Sequence, residues 1–468
     1  MILAVAAFLR FYKLDSPLWL DEVVALVNSY REPFWKIFTR FPGHFPHPFY
    51  EQLAHSSLAL FGESAFSIRL PAALFGVAGI FMFYKFSRRF FDEGEALFGT
   101  ALLAVSYHHI YFSQDARGYT IYLFLALAAT DIFLGVLQKM RWQSMLAYSV
   151  IAALAAYSQP AGLALAPGQI AVGLAMIYAT PSVDVDHRPK PLHLVGMLAL
   201  TAFFTLLLYA PIIDGSLSYI KGPVQAETVT QSARAFDLMV EVSSGLKSAF
   251  SNWPLLVGGG LVCTIGGLDF LRRSPVALAA LVVPVIISLP ALGMIGAAAH
   301  ARYFLLALIT AYLVGTRGFV LLGRSLASRL PKSTLLKPAM AVGLVVLAAV
   351  PLRAYYSTPK QDFQGALQQV RLMAAPSDRI IAAGMAAHIY RIYYAPDLLG
   401  AKNLSDLLRE EASGQALWVI ITFERVEARQ RPDLLAHLRR SYQLRYVLPA
   451  STGDGEMRIY YRAAPAGT

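Results

Sequence analysis

The stretch Pro17-Leu18-Trp19-Leu20-Asp21-Glu22 sets two adjacent carboxylates just beyond an apolar run that starts at Met1. The sequence after it is amphipathic and too interrupted to be a second membrane span. Carboxylates are costly near a bilayer, so an acidic pair at this depth reads as a functional site. On a helix the two residues stand about 100° apart, so both cannot face one substrate atom. Asp21 is the candidate catalytic residue and Glu22 its supporting neighbour. The duller reading is that Asp21 caps the following helix. Upstream, Met1 to Tyr12 is apolar apart from Arg10, whereas a span needs roughly 20 apolar residues. Either the first helix is short or the chain starts a few residues late. Met1 leads straight into apolar sequence with no basic segment, which argues against a cleavable signal peptide.

Composition carries this outward to the whole chain. Across 468 residues, 56% are hydrophobic, 15% are charged and mean hydropathy is +0.51. That excludes a soluble globule and fits a polytopic α-helical membrane protein. The net charge of +11 is spread over short Lys/Arg clusters between apolar runs, as membrane topology requires, which argues against nucleic acid. The single cysteine, Cys263, sits inside an apolar run and rules out an intramolecular disulfide.

Spans are expected at roughly 68–88, 94–112, 117–137, 143–157, 160–179, 192–212, 252–271, 276–295, 303–322 and 339–356, giving about eleven transmembrane helices with the first. The clusters Lys85/Arg88/Arg89, Lys139/Arg141, Arg188/Lys190, Arg272/Arg273 and Arg324/Arg329/Lys332/Lys337 then share one side, the cytoplasm. Leu53–Phe61 is too short to span and is read as interfacial. The opposite face collects Asp21, Glu22, His44, His47, Glu51, Arg69, the segment Ser113–Arg117, the loop 213–251 and His300–Tyr303. The chain therefore divides into a membrane module, 1–356, with an outer loop over 14–67, and a small C-terminal α/β domain outside the membrane, 357–468. Strands are predicted at Arg379–Gly384, Ala416–Phe423, Leu444–Leu448 and Met457–Arg462, and helices near 362–374, 404–412 and 424–440. Asn403-Leu404-Ser405 matches a glycosylation acceptor, a pattern too short to weigh much. Gly258-Gly259-Gly260 lacks a preceding strand and is not read as a nucleotide loop. No internal repeat is visible.

Four motifs in order carry a resemblance: Leu20-Asp21-Glu22, Arg69-Leu70-Pro71-Ala72-Ala73-Leu74-Phe75-Gly76, Tyr111-Phe112-Ser113-Gln114-Asp115-Ala116-Arg117-Gly118-Tyr119, and Arg302-Tyr303. Together they resemble the GT-C glycosyltransferases, in particular bacterial members akin to protein O-mannosyltransferases and the aminoarabinose transferase. The resemblance implies a polyprenyl-phosphate sugar donor, mannose- or arabinose-like, and a catalytic base in the first outer loop, Asp21. It also implies substrate contacts from His47 and Tyr50, from Asp115, Arg117 and Tyr119, and from Arg302 and Tyr303. Where the family often has His-Pro-Pro-Leu-Tyr, this chain has His47-Pro48-Phe49-Tyr50. Asp115 stands where a Glu is frequent, one methylene shorter.

The chemistry asks for the same residue types. Transfer from a lipid phosphate to a hydroxyl needs a base for the acceptor and cations for the departing phosphate. Arginine suits that phosphate because its planar fork binds oxygens bidentately. Trp19, Tyr50 and Tyr119 are candidates to stack on a sugar. Each has a plainer reading: Asp115 as a cap for a helix starting at Arg117, and Arg302 and Arg69 as snorkelling anchors, the reading favoured for Arg69. Asp131 is read as a hydrogen bond between helices. His44 and His47 are metal-ligand types without a firm third ligand, which leaves a divalent cation open. The expected function is an inverting, multi-pass inner-membrane transferase. Its site and C-terminal domain face the periplasm or cell exterior, and its acceptor is a hydroxyl or phosphate on protein, lipid or glycan. The rival is a transporter or flippase of a lipid-linked sugar, which would place its charges near the midplane and show repeated halves.

Overall fold

The computed structural model of the chain describes residues 1–41, 47–179, 189–221, 253–294, 301–329 and 336–465. His44, Arg188, His300, Lys332, the greater part of the 213–251 loop and the side chain of Tyr303 lie outside the described residues. The chain forms two compact units, Met1–Leu14 with Glu32–Leu352, and Asp15–Arg31 with Arg353–Thr468. The division after Leu352 stands beside the boundary expected at 356, and Asp15–Arg31 packs with the tail instead of with the rest of the loop 14–67. The cause is specific bonding. The Leu20 N–H donates to Gln361 Oε1 (2.9 Å) and the Tyr394 hydroxyl to the Leu18 carbonyl (2.6 Å). The Lys360 ammonium lies 5.8 Å from the centre of the Trp19 ring.

In the first unit, helices stand at each expected position. Among the described residues of the chain, six are long and apolar enough to cross a membrane: Ala65–Ser87, Tyr119–Gln138, Pro160–Ala179, Pro191–Ser218, Leu305–Leu326 and Pro338–Ser357. Tyr119–Gln138 is the central post, with 78% of its apolar window buried. It packs on Ala65–Ser87 and Trp142–Ser158 and shows no polar face, as a helix buried all round must. Pro48–Phe61 has 14 residues and is too short to span, consistent with the interfacial reading. Gln169 ties the bundle at depth: its amide donates to Thr130 Oγ1 (2.8 Å) and the Ala280 carbonyl (3.2 Å), and its oxygen accepts the Tyr148 hydroxyl (2.9 Å). Asp131 does bond between helices, to Arg89, and pairs with Lys85 at 3.5 Å.

The expected span 94–112 is broken into Glu93–Ala104 and Tyr107–Ser113. Ser106 caps the second piece, accepting the His109 N–H (3.3 Å). Arg10, fully buried, takes up the carbonyl freed by the break. It donates to the carbonyls of Ala104 and Ala6 (3.0 Å each) and stands 2.9 Å from His109 Nδ1. The one charge in the first apolar run is therefore a helix-end cap supplied in trans.

The second unit holds a five-stranded sheet of order β2-β1-β3-β5-β4. Its strands are β1 Arg379–Ala383, β2 Leu399–Ala401, β3 Leu417–Ile421, β4 Gln443–Leu448 and β5 Met457–Arg462. β2, β1 and β3 run parallel, while β5 and β4 are antiparallel. β3, Leu-Trp-Val-Ile-Ile, is buried along its whole length, as an apolar run in a central parallel strand should be. Ile381, Ala383, Val419 and Ile421 pack on Leu434, Leu438 and Tyr460. The helix expected at 424–440 stops at Gln430 and restarts at Pro432, because the residue before a proline avoids helical backbone. Asn403 caps Leu404–Glu411, its side chain accepting the Asp406 N–H (3.0 Å). That accounts for Asn403 without a glycan.

Candidate active site

His47 is the N-cap of Pro48–Phe61, and its own N–H donates to Glu51 Oε1 (3.0 Å). Proline just inside the helix start has no N–H to satisfy there. The His47 ring is buried, with Nδ1 2.8 Å from the Ser158 carbonyl. A carbonyl can only accept, so Nδ1 carries the proton and Nε2 keeps its lone pair. Burial and then the Arg117 guanidinium hold the imidazole down at about 3, with Arg302 acting in the same sense and Glu51 against it. His47 is thus neutral and is no phosphate cation. Both arginines lie within electrostatic reach of it.

Arg117 sits on the connection Gln114–Gly118 between Tyr107–Ser113 and Tyr119–Gln138. This connection is pinned at both ends. Gln114 Nε2 donates to the carbonyls of Arg10 (3.0 Å) and Tyr12 (2.7 Å) at the end of the first helix. At the other end, a Cβ on Gly118 would collide with the Ser158 carbonyl and lie 3.2 Å from His47 Nδ1. Glycine is required by this close approach. Between the pins, Asp115 is 1% and Arg117 7% exposed, and the Arg117 N–H donates to the Asp115 carbonyl (2.7 Å). Two buried charges two residues apart persist only where partners and hydrogen bonds hold them. Asp115 does not cap a helix at Arg117, since the helix begins at Tyr119 with Gly118 as N-cap. Arg302 lies on the turn Ala301–Phe304 that opens Leu305–Arg329, and is half-buried.

The structure gives Tyr50 and Tyr119 packing surroundings. Both are buried; the Tyr50 hydroxyl donates to the Ile68 carbonyl, and Tyr119 meets the His47 ring at 5.1 Å and Phe112 at 4.9 Å. Arg69 departs from the favoured anchor reading. It is 1% exposed and Nη1 donates to the Leu14 carbonyl (2.9 Å), so it is tied to the end of the unit's first segment and does not reach for the interface.

In the second unit, the acidic pair opens the helix Leu20–Ala25, whose N-cap is Trp19 and not Asp21. Glu22, fully buried, sits at the third helical position and accepts the Trp19 N–H (3.3 Å), the return half of a capping box. Asp21 is partly exposed. The two neighbouring carboxylates are thereby separated into one that is buried and closes the helix start and one that stays partly exposed.

Residues 45–209, about a third of the chain, match the family model described as dolichyl-phosphate-mannose-protein mannosyltransferase. No curated protein matches. Among solved structures, ArnT from Cupriavidus metallidurans in the apo state superposes with a TM-score of 0.54 at 15% identity, covering 100% of this chain and 98% of that one. The same enzyme bound to undecaprenyl phosphate gives 0.52 at 16% identity over the same shares. The archaeal oligosaccharyltransferase AglB from Archaeoglobus fulgidus, in complex with an inhibitory peptide and a dolichol-phosphate, gives 0.52 at 15%, covering 95% of this chain and 72% of that one. The chain has the fold of the GT-C superfamily.

The matched segment contains His47, Tyr50, Arg69 and the Asp115–Tyr119 motif, and stops before Arg302. Three features of the site were given no role from sequence. Ser158 acts through a backbone carbonyl, which leaves no sequence mark. Gly118 shows its role only once Ser158 is placed against it. Glu51 did carry a signal, standing four residues after His47 and one turn into a helix opened by proline. Among the described residues no group of three or more His, Cys, Asp or Glu stands together as a metal site, and the His47 Nδ1 is already given to Ser158.

Proposed function

We propose that the chain is an inverting membrane glycosyltransferase that moves a mannose- or arabinose-like sugar from a polyprenyl phosphate to a hydroxyl or phosphate acceptor. The observation that carries this reading is the pinned connection holding buried Asp115 and Arg117, with Arg302 in electrostatic reach of the same histidine, in a chain with the GT-C fold. Undecaprenyl phosphate and dolichol-phosphate in similar folds support a lipid-phosphate donor. We place about eleven helices across the inner membrane by length and charge alternation. The site and the sheet-bearing unit then face the periplasm or cell exterior.

In the proposed reaction Asp21 removes the proton of an acceptor hydroxyl as its oxygen bonds to the anomeric carbon. Attack comes from the face opposite the phosphate, so the configuration inverts. The bond from that carbon to the phosphate oxygen breaks, its electron pair stays on the phosphate, and Arg117 and Arg302 stabilise the added charge. Glu22 fixes the helix that carries Asp21, and neutral His47 holds the Arg117 connection in place.

The test is transfer of labelled sugar from a polyprenyl phosphate by purified protein in nanodiscs, with donor binding measured separately. Asp21→Asn keeps the shape but cannot accept a proton, so turnover to a hydroxyl acceptor should fall about 10²–10⁴-fold with donor binding unchanged. Arg302→Lys should weaken donor binding about tenfold or more, since one charged hydrogen bond contributes about 1.5–3 kcal/mol. Full activity in Asp21→Asn with none in Asp115→Asn would move the base to the second motif.

A further inference from the structure

The second unit contains a cavity of 560 Å³, within the size range of small-molecule sites. It opens where β1 and β2 end: Gly384 follows β1, and Gly400 and Lys402 close β2. Beyond the carboxyl ends of parallel strands is where open α/β sheets bind ligands, near the point at which the strand order reverses. Here the order β2-β1-β3 reverses between β1 and β3, one strand across from the β2 end of the cavity. Gly384 has φ +60°, and a Cβ there would strike the Glu427 carboxylate. Glu427 in turn accepts the Met385 N–H (2.7 Å) and pairs with Arg431 (2.9 Å). The mouth of the cavity is thus a fixed structure.

Its lining is divided by chemistry. Leu20, Val24, Met385, Ile389 and Leu398 supply apolar wall, and Arg391, Lys402 and Arg431 supply cationic groups beside a neutral His388. Glu427 offsets Arg431, but Arg391 and Lys402 have no ion-pair partner among the described residues. Both line the same cavity as His388, whose imidazole is held below its usual range by burial and then by these two charges. Two wall residues, Leu20 and Val24, belong to the helix that presents Asp21.

We infer that this cavity is a binding site for an amphiphile with a phosphate headgroup, its apolar body against Leu20, Val24 and Leu398 and its anionic group between Arg391 and Lys402. Charge complementarity selects the headgroup, and the apolar wall separates this ligand from free phosphate. A ligand seated here touches the Asp21 helix directly. The site uses none of the arginines assigned above to the donor phosphate.

The probe is water-soluble dihexanoyl phosphatidic acid, titrated calorimetrically onto the full-length protein in zwitterionic nanodiscs. Dihexanoyl phosphatidylcholine and inorganic phosphate are the comparison arms. The wild-type protein should bind phosphatidic acid at least about tenfold more tightly than either, with affinity falling as salt rises. Arg391→Ala with Lys402→Ala should lose about tenfold or more, while Arg302→Ala leaves this binding unchanged. Arg391 and Lys402 are exposed, and the unfolding midpoint of the double variant in the same nanodiscs serves as its folding control. Equal binding by the double variant overturns the site. Equal affinity for phosphatidylcholine overturns the anionic headgroup, and equal affinity for inorganic phosphate overturns the amphiphile. These wild-type comparisons decide the matter even if the double variant does not fold. Sugar transfer is not read, so failure here leaves the proposed transferase standing.

Discussion

A histidine held at about 3 in the folded chain and near 6.5 when unfolded makes stability depend on pH with a definite sign. Below 6.5 the unfolded chain binds a proton that the folded chain refuses, so acid favours unfolding. The His47 contribution is whole above 6.5 and is lost progressively as pH falls from 6.5 toward 3. At pH 5 the deficit is about 2 kcal/mol, taking about 1.4 kcal/mol per unit. His47→Gln should therefore flatten the fall in melting temperature between pH 7 and 5, measured at constant detergent and salt. An unchanged slope would mean that His47 is not buried neutral. The same residue shows what sequence made legible. His47-Pro48-Phe49-Tyr50 marked the place through residue types, but not the bond to the Ser158 carbonyl (2.8 Å), since backbone partners are invisible until the chain is folded. Arg69 is the opposite case. Its position at the start of a span suggested an anchor, and the Leu14 carbonyl (2.9 Å) claims it instead.

At the scale of helices, hydrophobic length located every apolar segment, yet not their breaks or their polar ties. The division at Val105–Ser106 depends on Arg10, 94 residues from the carbonyl it caps. No local pattern encodes such a partner. An ionic tie among the described helices is of the same kind. Arg317, 5% exposed, donates through one nitrogen to both oxygens of Glu95 (3.1 Å each) and through another to Asp269 (2.7 Å). It thereby joins Leu305–Arg329 to Glu93–Ala104 and Trp253–Arg273. Leu305–Arg329 and Trp253–Arg273 also touch through glycine, since a Cβ on Gly266 would strike the Val314 carbonyl and one on Gly318 the Val262 carbonyl. Small residues let backbones meet, as in membrane helix pairs generally. Arg317→Ala takes one cation from each carboxylate but leaves Glu95 to Arg324 and Asp269 to Arg273, so the loss should stay below the ~3–5 kcal/mol of an uncompensated buried charge. A lower unfolding midpoint in detergent is the expected result, with Arg317→Lys intermediate because a point charge cannot serve both carboxylates. Wild-type stability in Arg317→Ala would reduce the network to a surface feature.

At the scale of the molecule, the division into two units assigns the candidate base to the tail rather than to the helices that flank it in sequence. Short runs of aliphatic, β-branched and aromatic residues made β1, β3, β4 and β5 legible; β2, three residues long, is too short to stand out. Nothing local tells that residues 15–31 join that sheet's unit, because the ties are made 341 and 376 positions away. Gln361 is the hinge of this arrangement. Fully buried, it accepts the Leu20 N–H (2.9 Å) and donates to Thr422 Oγ1 (2.9 Å), just past the end of β3. One amide thus fixes the first residue of the Asp21 helix to the sheet. Gln361→Ala removes both bonds and leaves the Leu20 and Thr422 groups to find water, at a cost of about 1–3 kcal/mol. If the tail positions the base, this variant should keep its donor affinity and lose turnover about ten- to a hundredfold, since small misplacements of a reacting group are expensive. Gln361→Glu keeps the acceptor for Leu20 and should recover part of the rate. Transfer at the wild-type rate by Gln361→Ala would separate the placement of Asp21 from the fold of the tail.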